Sequence, residues 1–433
     1  MLNFIKEQEN IWDYLRRTKK PLVLYGMGNG ADKIIARLHI MGQKPAGIFA
    51  SDEFVRGQLF HGLTVKTYAA LKAELGDFIT LIAFASSRPE VLARFDALAA
   101  AGETYAPHVP IFPGEETVSL PWLTRHEEEL QEVYDRLADD HSRQVFAAAL
   151  NYKLSGKISY LQKVTTDRRA DLQSLFHFGP EEVYLDLGAY NGDTIDEFLS
   201  LLAENKPGAA GSGAPPEAEN LTSHPAPLTT YAVYRPGTPP PAYKHIMAVE
   251  PDPRNFKKLT EHLTQLGCQE VTCLNQGVWS GQGQLDFTGS SGRQASLIYD
   301  RGPAALKPLT SSTSPAGSSG SFSAADAARP PALQPPVKKI TVPVASLDEL
   351  AGPWQTTCIK LDVEGAELAA LSGGVRQLTG AAGQCPKLLV AAYHHDEDLF
   401  TLPLKIWQLQ PEYKIYLRKH PYVPAWELNF FAL

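Results

Sequence analysis

The stretch Val183–Thr194, V-Y-L-D-L-G-A-Y-N-G-D-T, constrains this chain more than any other. Val183, Tyr184, Leu185 and Leu187 supply β-branched, aromatic and apolar bulk, which reads as a buried strand. Gly188 and Gly192 then let the backbone turn sharply and approach a ligand closely. Asp193 and Thr194 are suited to cap the helix that continues through Ile195, Phe198 and Leu199. A strand, a glycine turn and a helix N-terminus in this order mark the carboxyl edge of a parallel sheet, where α/β folds hold nucleotide-type ligands.

The chemistry of that turn narrows the ligand. A helix mouth ordinarily suits an anion. Here Asp186 and Asp193 place carboxylates in the same turn, which disfavours a pyrophosphate and favours a ligand with positive charge. S-adenosylmethionine, with its sulfonium and its amino group, fits. Asp186, Gly188, Ala189, Gly192, Asp193 and Thr194 are the expected cofactor-binding residues of the turn.

The next acidic marker appears displaced. Asp186 and Glu250 are 64 positions apart. Between them, from about 205 to 242, the chain is mostly Pro, Gly, Ala, Ser and Thr, a composition that buries too little apolar surface to offset chain entropy. Without those 38 residues the spacing is 26, near the roughly 20 expected between a glycine turn and the acid ending the next strand. His245–Val249 is that strand, and Glu250-Pro251 follows. A carboxylate there accepts two hydrogen bonds from a ribose diol, so Glu250 and Pro251 join the expected cofactor site. Val271–Asn275 is a third strand. Gly277, just beyond it, lies in a region that flanks an adenine in this architecture. A second insert of the same composition, from about 302 to 336, is also expected to be a disordered surface loop. Lys339–Val344 after it reads as an edge strand.

Cys358–Glu367 carries the densest charge of the chain. The strand delivers Lys360 and Asp362 on one face and Ile359, Leu361 and Val363 on the other. Charges at a strand end are costly unless paired or used. Asp362, Lys360 and Glu364 are therefore candidate catalytic residues, and so is His394, which ends the strand Leu388–Tyr393 and is able to act as a base near neutral pH. Two late strands, around 413–418 and 426–431, are expected to close the sheet as an antiparallel edge pair.

The N-terminal third repeats the strand–glycine–helix plan. Leu22–Tyr25 runs into Gly26-Met27-Gly28-Asn29-Gly30 and a helix from Asp32 to His39. Its G-x-G-x-G spacing departs from the dinucleotide fingerprint. A nucleotide or nucleotide-sugar site and a packing module are equally open for it. Thr124-Arg125-His126-Glu127 reads as a capping box opening one long helix to about Leu150. Leu130, Val133 and Leu137 on that helix are expected to pack between two domains.

Composition sets the outer limits. A net charge of −8 without a basic stripe argues against nucleic acid. The four scattered cysteines and the absence of clustered histidines give no metal signal and fit a reducing compartment. No apolar run is long enough to span a bilayer, and the charged N-terminus is unlike a signal peptide. A cytoplasmic location without membrane contact is expected.

Taken together, Asp186–Thr194, Glu250-Pro251-Asp252-Pro253, Lys360–Glu367 and Tyr393–Leu399 resemble the FkbM-type methyltransferases, over about residues 165 to 433 apart from the inserts. The K-x-D-x-E-G-A-E segment is the most specific part. The resemblance implies a class I, Rossmann-like methyltransferase domain with an antiparallel C-terminal edge pair. It also implies S-adenosylmethionine as cofactor and O-methylation of a hydroxyl on a sugar, glycan or secondary metabolite. The expected organisation is a smaller Rossmann-like domain at 1–120, a helical connector at 121–178 and the methyltransferase domain at 179–433. Two other functions compete: a nicotinamide-dependent oxidoreductase working from Gly26–Gly30, and a non-catalytic nucleotide-binding scaffold.

Overall fold

The computed structural model describes residues 2–112, 114–204, 234, 240–288, 296–298, 339–381 and 383–433. The two expected loop inserts lie outside the described residues, apart from Tyr234 and residues 240–242. The chain divides into two units. The first holds Met1–Pro180, Asp196–Val233 and Lys387–Leu433, and the second holds Glu181–Ile195 and Tyr234–Pro386.

In the first unit the apolar runs predicted as strands form β1 (Leu22–Tyr25), β2 (Gly47–Phe49) and β5 (Ile79–Ile82). Every residue of the three is buried. With β3 (Leu59–Phe60), β4 (Leu63–Lys66) and β6 (Thr104–Tyr105) they make a six-stranded sheet of order β3-β4-β2-β1-β5-β6. All its pairs are parallel except the β3–β4 hairpin. Continuous apolar runs suit such a sheet because helices cover both faces. One face packs Ile34, Ile35 and Leu38 of helix Asn29–Ile40 over Leu22 and Leu24. The other packs Tyr25, Phe49 and Phe95, with the Tyr25 and Phe49 rings stacked at 4.6 Å.

The long helix expected from Thr124 to Leu150 is three helices, Leu120–Arg125, Glu127–Arg136 and Asp140–Ser155. Two stronger caps win. The Ser119 side chain accepts from Trp122 N and the Asp139 side chain accepts from Ser142 N. Thr124 therefore falls inside a helix and donates its hydroxyl to Leu120 O at 3.0 Å. Leu130, Val133 and Leu137 are buried.

The second unit is built on β7 (Val183–Leu187), β8 (His245–Val249) and β9 (Val271–Leu274). Its other strands are β10 (Gly277–Trp279), β11 (Gly283–Thr288), β12 (Ser296–Ile298), β13 (Lys339–Ser346) and β14 (Cys358–Leu361). β14, β7, β8 and β9 lie side by side and parallel. Asp252 caps helix Pro253–Gln265, accepting from Arg254 N at 2.8 Å and Asn255 N at 3.3 Å. The remaining strands form a small sheet of order β10-β13-β11-β12. β13 is thus interior, not the edge strand expected from the sequence. β10 pairs only with Val344–Ser346, so the missing N–H of Pro343 lies beyond that ladder.

The chain returns to the first unit with β15 (Lys387–Ala391), β16 (Ile415–Lys419) and β17 (Leu428–Ala432). β17 pairs antiparallel with both β15 and β16. The two late strands form the antiparallel pair expected from the sequence.

Candidate active site

The carboxyl ends of β7 and β14 bring two charges together. Asp186 and Lys360 are opposite each other in the parallel register. Both are buried, and Lys360 Nζ is 3.1 Å from Asp186 Oδ1. The Thr194 hydroxyl donates to the other carboxylate oxygen. Lys360 Nζ also donates to Gly188 O at 2.7 Å, which ties the ammonium to the glycine turn. Burial pushes the Lys360 pKa down, but attraction from Asp186, Asp362 and Asp193 outweighs it and leaves the ammonium pKa raised. Three carboxylates thus act on one ammonium, and the group as a whole is negative. Lys360 offsets the Asp186 share of that charge.

The turn after β7 is shaped by contacts that only glycine permits. Gly188 has φ +82°, and a Cβ there would stand 1.9 Å from Asp362 O. Gly192 has φ +94° and faces His262. Gly188 N and Ala189 N both donate to Val249 O at 3.0 Å, fastening the turn to β8. Thr194 is buried, and its N–H donates to Asp193 Oδ1 at 2.9 Å.

Glu250 stands across this turn, at the end of β8. Its carboxylate accepts from Tyr190 N at 3.0 Å through Oε2 and from Asp252 N at 2.9 Å through Oε1. Burial pushes its pKa up to about 7, against the pull of those backbone donors and of Lys360. The Asn255 side chain bonds the same carboxylate, which leaves it one further acceptor position. Asn275 Nδ2 donates to Glu250 O at 2.8 Å and Pro251 O at 3.2 Å, joining the ends of β8 and β9. Gly277 is buried in β10, opposite Val344.

Asp362 is half-buried, and its N–H donates to Leu187 O at 3.1 Å. Glu364 adopts a left-handed φ of +55° in the turn that follows. Glu367 is fully buried and accepts from Val363 N at 2.8 Å and Gly365 N at 3.0 Å. The second unit therefore gathers Asp186, Gly188, Asp193, Thr194 and Lys360, with Glu250 bonded to the same turn at Tyr190. Sequence reasoning missed the parts played by Tyr190, Asn191, Asn275 and His262. Asn191 Oδ1 is buried and has no hydrogen-bond partner among the described residues. An orphaned buried acceptor is a costly feature that a donor on a bound molecule relieves.

His394 belongs to the first unit, buried just beyond β15. Its neighbours in sequence are pinned there. Asp396 accepts from Lys153 Nζ at 2.6 Å and Val118 N at 3.0 Å and pairs with His108 at 2.7 Å. His395 pairs with Glu115 at 2.6 Å. In the first unit the glycine turn after β1 is crowded at Gly26 and open at Gly28, where a Cβ would meet nothing within 4 Å. A Cβ at Gly26 would stand 2.4 Å from the Phe84 ring. Asp32, in the first turn of helix Asn29–Ile40, pairs with His61 at 2.7 Å.

Residues 230–413 match the family model described as the methyltransferase FkbM domain. That match spans less than half of the chain. The chain is also similar in structure to the crystal structure of methyltransferase FkbM from Methylobacillus flagellatus KT, at a TM-score of 0.64 and 17% identity. That likeness covers 99% of this chain and 95% of the other. No curated protein matches the sequence. The FkbM match includes Glu250, Lys360, Asp362, Glu364 and His394 but begins after the Asp186–Thr194 turn. It also lies outside Gly26–Gly30 and gives that turn no ligand. The fold is the α/β, Rossmann-like one expected of a methyltransferase, preceded by the six-stranded Rossmann-like sheet.

The site suits S-adenosylmethionine on three counts. Its excess of carboxylate complements a sulfonium and an ammonium. Glu250 keeps an acceptor position for a ribose hydroxyl, and Asn191 Oδ1 is a buried acceptor with no partner among the described residues. No helix among the described residues is long and apolar enough to cross a membrane.

Proposed function

We propose that the FkbM domain is an S-adenosylmethionine-dependent O-methyltransferase acting on a hydroxyl of a sugar, glycan or secondary metabolite. The observation that carries this reading is the placement of three carboxylates around the Lys360 ammonium at the glycine turn after β7, with Glu250 bonded to that same turn. Bound S-adenosylmethionine supplies an electrophilic methyl group on a positively charged sulfur. In this proposal Asp186, Asp193 and Thr194 face its cationic end, with Gly188, Ala189 and Gly192 admitting it. Glu250 receives the ribose diol, and Pro251 and Gly277 flank the base.

Asp362 is the proposed general base. It accepts the proton of the acceptor hydroxyl as the oxygen becomes nucleophilic, and holding the reactants in line provides most of the acceleration. Lys360 is proposed to fix Asp186 and the Gly188 carbonyl rather than to move a proton. Glu364, whose backbone is left-handed at φ +55°, lies in the turn after Asp362 and is kept as a further catalytic candidate. His394 is the alternative base. A cytoplasmic location is proposed because four scattered cysteines without a paired spacing fit a reducing compartment.

Calorimetric titration with S-adenosylmethionine, together with methyl-labelled transfer into a panel of hydroxylated sugars and metabolites, tests the proposal. Saturable binding and labelling lost in Asp362→Asn, with donor affinity retained, are expected. Turnover that survives Asp362→Asn but not His394→Gln moves the base to His394. A purified chain that ignores the donor sinks the reading.

A further inference from the structure

The turn that follows β14 is held in a conformation that its own residues disfavour. Strand pairing runs one residue past Leu361, through Asp362 N to Leu187 O at 3.1 Å. The Asp362 carbonyl then abuts Gly188 so closely that a Cβ there would stand 1.9 Å away. Within three residues the backbone is left-handed twice, at Glu364 with φ +55° and at Gly365 with φ +97°. A non-glycine residue keeps such a conformation only where its surroundings over-determine it.

Glu367 supplies that constraint. Its side chain is fully buried, and its two oxygens take different donors, Val363 N at 2.8 Å and Gly365 N at 3.0 Å. These N–H groups flank Glu364 on either side. One carboxylate therefore bridges the residue after Asp362 and the second of the two left-handed residues. The residue type is demanding. An ionised carboxylate presents acceptors on both oxygens. An amide presents one acceptor and turns an NH2 against an N–H, and an aspartate is one methylene too short to reach both.

We infer that Glu367 is a positioning residue for methyl transfer: by clamping Val363 and Gly365 it sets where the Asp362 carboxylate points. It acts on proton removal and not on cofactor affinity. This role rests on the reading of Asp362 as the general base.

The test compares wild type, Glu367→Gln and Glu367→Asp in the full-length chain. Three readouts are needed: S-adenosylmethionine affinity by calorimetry, kcat with an acceptor from the hydroxyl panel across pH, and amide exchange at Val363 and Gly365. Both variants are expected to bind the donor within about twofold of wild type while kcat falls at least tenfold. The rising limb of kcat against pH is expected to move, and the two amides to exchange faster. Should Glu367→Gln fail to fold, Glu367→Asp, which keeps the charge and one of the two bonds, carries the comparison. Unchanged kcat beside faster exchange overturns the positioning role, as does a loss of donor affinity that matches the loss of kcat. A wild-type chain that neither binds the donor nor labels an acceptor overturns the functional reading instead, and this role falls with it.

Discussion

Lys360 Nζ stands 3.1 Å from Asp186 Oδ1, and both side chains are buried. Removing one partner of such a pair strands the other charge away from water, at a typical cost of about 3–5 kcal/mol. Lys360→Met should therefore lower unfolding free energy by roughly that amount, and the double variant Lys360→Met/Asp186→Asn should recover much of it. Urea unfolding of the three chains measures both. If Lys360 moves a proton instead of holding the turn, a folded Lys360→Met chain loses turnover with donor affinity intact. If it holds the turn, donor affinity falls as well.

Glu250 makes donor binding depend on pH in a defined direction. Its carboxyl is raised from 4.5 to about 7 by burial. The folded state thus keeps this proton at pH values where the unfolded chain has released it. Stability from this group is full below 4.5 and is lost as pH rises through about 7. A ribose diol donates best to the ionised form, so S-adenosylmethionine affinity should rise from pH 5 to about pH 7 and then level off. Glu250→Gln should bind weakly and show no such rise. Calorimetry across that range checks it, and an affinity that falls as pH rises removes the ribose role.

Gly188 and Gly281 give opposite expectations for one substitution. A Cβ at Gly188 would strike Asp362 O at 1.9 Å with the backbone at φ +82°, whereas a Cβ at Gly281 meets nothing within 4 Å. Strain at such a φ alone costs on the order of 1–3 kcal/mol, and the backbone contact adds to it. Gly188→Ala should lose donor binding and unfold early, while Gly281→Ala should stay within about 0.5 kcal/mol of wild type. Thermal unfolding with and without S-adenosylmethionine separates the two.

How much of this was legible in the sequence follows from the range of each interaction. The strand Val183–Leu187 and its glycine turn are local patterns, as is the Asp252 cap, and the structure has all three. The pairing of Lys360 with Asp186 spans strands far apart in sequence, and no local pattern sets that register. Lys360 therefore reads from sequence alone as a catalytic candidate, and the structure adds its contacts with Asp186 and the Gly188 carbonyl. Glu367 reads in the sequence only as part of a charged strand end, because its two acceptors matter once Glu364 and Gly365 turn left-handed. The helix break near His126 came from a competition between caps, in which Ser119 and Asp139 prevail over Thr124. The interior place of β13 is not local either, and the missing donor of Pro343 costs nothing where β10 does not reach.

Lys419 provides a test confined to the first unit. It is fully buried in β16 and donates to Tyr422 O at 2.8 Å and to His420 O. Burial pushes its pKa down from 10.5 to about 7, against attraction from Glu427. Between those values the unfolded chain binds a proton that the folded chain has released. The unfolded state therefore holds more protons, and the Lys419 contribution to stability rises with pH across that window. The ceiling is about 1.4 kcal/mol per pH unit for one proton. Urea unfolding at pH 7 and at pH 9.5 should show this rise on top of the other titrating groups, and Lys419→Met should abolish the Lys419 share. The comparison is the difference between the two chains at each pH, which cancels groups common to both. A difference that stays constant between pH 7 and 9.5 shows that the ammonium remains charged in the folded state, held by the His420 and Tyr422 carbonyls.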